Sequence, residues 1–175
     1  SGLTLSVFQR QHTKDSKLAW MLLAATIPAG LSGLLFASQV ELYGRSLILI
    51  GVTSIWFGLL LFVSDRFSKK QRSLADIHWK TALLIGFSQV FALIPGTSRS
   101  GVTMTAALFC NLDRAAAARF SFLLAIPIIT ASGLLRGIEL LQVGTDSVDW
   151  LILLYAIFIS AVVAYFCIHY FLRLI

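Results

Sequence analysis

The stretch TALLIGFSQVFALIPGTSRSGVTMTAALFCNL, running from Thr81 to Leu112, decides how this chain folds. Two apolar arms, Thr81–Ile94 and Val102–Leu112, flank the polar block Pro95-Gly96-Thr97-Ser98-Arg99-Ser100-Gly101. At helical rise the arms reach about 21 Å and about 17 Å, short of the about 30 Å of a hydrocarbon core. Runs of that length read as re-entrant or core segments rather than full spans. The stretch is therefore expected to form a re-entrant helix–loop–helix hairpin, about residues 81–112, that enters and leaves on one side. Its polar tip would lie at membrane depth, where irregular backbone is tolerated only if protein covers it or a water-filled cavity receives it.

Outward from this hairpin the sequence is poor in charge. Predicted spans cover about residues 18–37, 46–64, 114–136 and 148–172, against the roughly 20 apolar residues that crossing requires. Asp113 is placed to cap the third of them. Trp20 and Trp150 suit the interfacial belt, while Trp56, in mid-span, reads as packing. Hydrophobic residues make up 58% of the chain and charged ones 13%, where a soluble domain carries about 25% charged. That excludes a soluble globular domain, a disordered chain and a nucleic-acid-binding module. Cys110 and Cys167 lie in apolar runs and read as small core hydrophobes. The reading is an all-α polytopic membrane protein, with residues 1–175 as a single integral membrane domain.

The net charge of +6 sits in short patches that set the topology. With residues 1–17 inside, the inner segments hold Arg10, Lys14 and Lys17, then Arg66, Lys69, Lys70, Arg72 and Lys80, then Arg114 and Arg119, and finally Arg173. The outer segments, 38–45 and 136–148, hold Arg45 and Arg136. This is a strong positive-inside bias, and the basic loop after the second span also suits anionic membrane lipids.

Arg99 carries the chemistry. An arginine at membrane depth is costly, about 2.5–3.5 kcal/mol on insertion scales, and marks a functional site. Hydroxyls surround it at Thr97, Ser98, Ser100, Thr103 and Thr105, and Gly96 and Gly101 allow close backbone approach. The second arm is expected to start just after Gly101, aiming its free N–H groups and dipole at the loop as an anion site. A guanidinium adds a bidentate grip on phosphate oxygens. Gln89, an amide in apolar surroundings on the first arm, either ties the arm to the tip or contacts the substrate. The competing reading is a surface turn with Arg99 snorkelling into headgroups. No Glu, Asp or His lies within a few residues of Arg99; the nearest acid is Asp113. A hydroxyl nucleophile at Ser98 or Ser100 would need a base from elsewhere, and no metal ligands are identifiable.

The run Gly86…Gln89…Ala92-Leu93-Ile94-Pro95-Gly96-Thr97-Ser98-Arg99-Ser100-Gly101-Val102-Thr103, followed by Arg114…Ala117-Ala118-Arg119-Phe120-Ser121-Phe122-Leu123-Leu124-Ala125-Ile126-Pro127, strongly resembles the undecaprenyl-diphosphate phosphatases, the bacterial bacitracin-resistance membrane phosphatases. The resemblance implies hydrolysis of the C55 isoprenyl diphosphate to the monophosphate, which recycles the carrier for peptidoglycan synthesis. It implies a divalent cation (Mg or Ca), a multi-pass inner-membrane location, and an inverted-repeat architecture with two re-entrant hairpins and a site open to the periplasm. Carried over residue by residue, Ser98, Arg99, Ser100 and Thr103 become diphosphate contacts, with Gly96 and Gly101 shaping the loop. The family's earlier half, with its glutamate-rich motif and its histidine-bearing loop, is not matched here, nor is its last helix. The chain is therefore expected to be an incomplete copy, inactive alone. A homodimer is left open. The rivals are a transporter or flippase for an anionic lipid or solute, since half-helices aimed at an anion also suit transporters, and a structural membrane subunit.

Overall fold

The computed structural model describes residues 14–43, 46–143 and 149–174, which form helices and turns without a strand. Arg10 and Arg45 of the charge reading lie outside the described residues. Helix α1 is Lys14–Tyr43, α2 is Leu47–Phe67, and α3 is Trp79–Ser88, continued by a 3₁₀ segment, Gln89–Leu93. Helix α4 is Arg99–Phe109, α5 is Arg114–Val143 and α6 is Trp150–Leu174. Among the described residues four helices, α1, α2, α5 and α6, are long and apolar enough to cross a membrane. The protein is thus an all-α polytopic membrane protein.

Two helices outrun their predicted spans. Helix α1 continues to Tyr43 and α5 to Val143, through segments assigned to outer loops. For α1 the next glycine after the apolar run is Gly44, whereas α5 continues through Gly137, a residue that a helix tolerates at modest cost. An i,i+3 ion pair, Arg136–Glu139 at 2.8 Å, further suits the extension of α5. Asp113 does cap α5, its Oδ1 accepting from the Ala116 N–H at 2.6 Å. Trp56 is 61% exposed and is not a packing residue. The covered side of α2 runs through Thr53, Phe57, Leu60, Leu61 and Ser64, and Trp56 falls off that stripe. Cys110 is half-buried, but Cys167 is exposed on α6 and is no core residue.

The chain divides into two compact units, Ser1–Ile128 and Ile129–Ile175. The first holds the buried core, where Met21 and Ala25 of α1, Ile85 of α3, Ala107 of α4, and Phe120 and Leu124 of α5 pack together. Small residues let α1 and α3 touch: a Cβ added at Gly86 would lie 2.6 Å from the Ala25 Cα. Close backbone approach of this kind is how helices associate where water provides no hydrophobic drive. The second unit comprises the end of α5 and α6, a helix with no buried residue.

The end of the second arm meets the loop that follows α2. The N–H groups of Gln71 and Arg72 donate to the Asn111 carbonyl at 3.1 and 3.0 Å, and the Asp113 N–H donates to the Arg72 carbonyl at 2.8 Å. Asn111 takes a left-handed turn, φ 64°, which an Asn tolerates better than most residues. Its Oδ1 accepts from the Lys69 N–H at 3.1 Å. Asp65 then binds Arg114 through two bonds of 2.7 and 2.6 Å, and Lys70 at 2.8 Å. The second arm thus ends on the loop, residues 68–78, from which the first arm starts, so the stretch 79–111 is a hairpin based beside the Phe67 end of α2.

Candidate functional site

The tip forms where Pro95 and Gly96 break the 3₁₀ segment. The Thr97 N–H donates to the Ile94 carbonyl at 3.2 Å, and Gly96 has φ 90°. Pro followed by a positive-φ Gly is the signature of a type II turn. The Thr97 hydroxyl folds back on the carbonyl oxygens of Phe91, at 2.8 Å, and Ile94. The turn presses on α2: a Cβ at Gly96 would stand 2.5 Å from the Ile50 carbonyl oxygen. Two α2 hydroxyls receive it. Thr53 donates to the Pro95 carbonyl at 2.6 Å and Ser54 to the Gly96 carbonyl at 2.9 Å. Measured along α2, Thr53 is about 21 Å from the Phe67 end of a helix about 31 Å long. The tip therefore reaches about two thirds of the way along a full span from its own base.

The second arm begins earlier than the sequence reading places it. Helix α4 starts at Arg99, not after Gly101, because Ser98 is the N-cap: its backbone is extended and its Oγ accepts from the Gly101 N–H at 3.2 Å. Serine at this position outcompetes glycine as a boundary. Gly101 is thus a helical residue whose missing side chain leaves room for the cap, since an added Cβ would sit 3.2 Å from the Ser98 Cβ.

Arg99 is exposed at the first position of α4 and, among the described residues, pairs with no carboxylate. The N–H groups of Arg99 and Ser100 likewise meet no protein acceptor among the described residues. The Ser98 and Ser100 hydroxyls stand 3.2 Å apart beside them. These groups are what an anion needs: open N–H donors at a helix start, a fork-shaped cation and two adjustable hydroxyls.

Thr103 and Gln89 sit elsewhere. Thr103 is 1% exposed. Its hydroxyl lies 3.0 and 3.1 Å from the Arg99 and Ser100 carbonyls and 2.6 Å from the Ser121 hydroxyl of α5, itself 3% exposed. It underpins the first turn of α4 and is not open to a ligand in this arrangement. Thr105, also buried, bonds the Gly101 carbonyl at 2.7 Å. Gln89 is 2% exposed and neither end of its amide has a hydrogen-bond partner; it makes no tie to the tip. The sequence reading brings Gly96, Thr97, Ser98, Arg99, Ser100 and Gly101 together correctly at one turn. It misses Thr53 and Ser54 of α2 and the buried Ser121 of α5. The available signal for the first two is that they are adjacent hydroxyls in an otherwise apolar span.

Among the described residues no three His, Cys, Asp or Glu side chains cluster as metal ligands. The oxygens at the turn are neutral, whereas divalent-cation sites draw on carboxylates. These residues do not fit a divalent cation by themselves.

A family model described as bacitracin resistance protein BacA matches residues 2–175. An undecaprenyl-diphosphatase of Teredinibacter turnerae is 50% identical over 174 residues, covering 99% of this chain and 66% of that protein. Undecaprenyl-diphosphatase 1 of Pseudoalteromonas translucida is 50% identical over 163 residues, 93% of this chain and 61% of its own length. The undecaprenyl-diphosphatase of Aliivibrio salmonicida is 46% identical over 175 residues, 100% and 65% respectively. The chain spans just under two thirds of the length of these relatives.

Proposed function

The chain belongs to the bacitracin resistance protein BacA family, and from that premise we propose that the protein hydrolyses undecaprenyl diphosphate to undecaprenyl phosphate and inorganic phosphate. This recycles the lipid carrier for peptidoglycan synthesis and gives bacitracin resistance. The protein sits in the bacterial inner membrane, with the hairpin base on the cytoplasmic side by the positive-inside rule and the tip toward the periplasm.

One observation carries the reading: an unpaired guanidinium at the start of α4, beside two open N–H groups and two hydroxyls, on a turn held deep along α2. A diphosphate head placed there is gripped by the Arg99 fork and by the N–H groups of Arg99 and Ser100. As the phosphoanhydride bond breaks, charge grows on the transferring phosphoryl oxygens, and these donors stabilise it without rearranging. Ser98 accepts from the Gly101 N–H, so its own proton is free for Ser100 or a phosphate oxygen. No carboxylate or imidazole bonds either hydroxyl among the described residues, so the general base, and the carboxylates for a divalent cation, belong to parts of the protein outside these residues, including the inverted-repeat partner hairpin.

The test is phosphate release from the C55 diphosphate by the full-length protein. Arg99→Ala lowers turnover by at least about 100-fold, on the scale of losing a principal charge stabiliser, and Arg99→Lys recovers little because an ammonium lacks the fork. Near-normal hydrolysis by Arg99→Ala overturns the assignment. A carrier or flippase would release no phosphate at all.

A further inference from the structure

We propose that Thr53 and Ser54 of α2 are positioning residues that set the depth and orientation of the Arg99 turn, an inference that rests on the phosphatase reading for its kinetic consequence but not for its geometry. Pro95 and Gly96 present consecutive carbonyls that belong to no helix, and among the described residues no backbone N–H reaches either one. At membrane depth such carbonyls need protein donors or the water of a cavity. Among the described residues their protein donors are the Thr53 hydroxyl, 2.6 Å from the Pro95 oxygen, and the Ser54 hydroxyl, 2.9 Å from the Gly96 oxygen.

Hydroxyls inside membrane helices commonly bond back to their own helix, and both residues have that option. Thr53 Oγ1 lies 2.8 Å from the Leu49 carbonyl and 3.1 Å from that of Ile50, and Ser54 Oγ lies 2.7 Å from the Ile50 carbonyl. A hydroxyl has one proton to give. The Leu49 and Ile50 carbonyls lie within α2 and already serve its ladder. For Thr53 the shortest approach is the one across to the turn; for Ser54 the intrahelical approach is the shorter. Thr53 is therefore the dominant member of the clamp and Ser54 the weaker one. The two carbonyls immediately precede Thr97 and the capping Ser98, so a shift of either peptide is passed directly to Arg99.

The test uses the full-length protein and two readouts. Thr53→Val keeps the shape and removes the hydroxyl; Thr53→Ser keeps the hydroxyl. Thr53→Val lowers kcat about 10- to 100-fold, the range expected of a misplaced catalytic group, with KM changed by less than about threefold. Thr53→Ser restores most of it, and Ser54→Ala loses less than Thr53→Val. Hydrogen exchange, followed by mass spectrometry over residues 95–101, accelerates in Thr53→Val and stays near the parent rate in Thr53→Ser. Unchanged exchange in folded Thr53→Val overturns the clamp whatever the activity. Unchanged kcat beside an inactive Arg99→Ala overturns its positioning role. If Arg99→Ala is itself active while exchange still accelerates, the phosphatase reading has failed and the clamp stands.

Discussion

At its base the hairpin is held by charge, and at its tip by neutral hydroxyls. The base joins Asp65 to Arg114 and Lys70 and seats Asn111 in a ladder of backbone bonds. The tip uses Thr53, Ser54, Thr97 and the Thr103–Ser121 pair, and its one ion, Arg99, has no carboxylate partner among the described residues. The contrast follows from solvent. Near headgroups ion pairs are cheap and weakly stabilising. At depth an extra carboxylate would be costly and would occupy the guanidinium that the proposed function assigns to a phosphate. Fastening the tip with hydroxyls keeps that charge uncommitted.

Three substitutions probe this difference. The largest effect is expected from Gly96→Ala at the tip. Positive φ alone costs roughly 1–2 kcal/mol for an alanine, and the added carbon also meets the Ile50 carbonyl. Turnover in the full-length protein should fall by well over the loss caused by Thr53→Val, with a lowered melting temperature in detergent. Ser121→Ala removes one hydroxyl of a buried pair. It should cost about 1 kcal/mol of stability, seen as a drop of a few degrees, with a smaller loss of turnover because Thr103 keeps its bonds to the Arg99 and Ser100 carbonyls. Asp65→Asn at the base should change stability by no more than about 1 kcal/mol and leave turnover near the parent value, and its effect should shrink in high salt. A base variant that proves more damaging than the tip variant would reverse the comparison.

The spans and the hairpin are legible in the sequence because charge-free length is a local property. Thr81–Ile94 and Val102–Leu112 are too short to cross, and α3 and α4 are indeed short. The turn is legible for the same reason: Pro95, Gly96 and the hydroxyls around Arg99 are contiguous. What was hidden is pairing across distance. Thr53 and Ser54 meet carbonyls 42 residues away, and Thr103 meets Ser121 18 residues away. Nothing in either local window announces the partner. Thr103 looks like a ligand contact in a linear reading because it follows the loop, yet helical periodicity turns it inward. Trp56 misleads in the opposite sense: its position in mid-span suggests burial, while the side chain lies off the stripe that faces protein. The glycines of the loop point to a start of α4 after Gly101, whereas the capping Ser98 sets it at Arg99.

The 3₁₀ segment Gln89–Leu93 completes the first arm. Tighter winding lengthens a chain, since each residue advances about 2.0 Å rather than about 1.5 Å. Over this segment the gain is about 2.5 Å, roughly half an α-helical pitch. An arm wound uniformly as α-helix would deliver Pro95 short of the level of Thr53, leaving donor and acceptor out of register. The overwound stretch thus works as a spacer, trading hydrogen-bond geometry for reach.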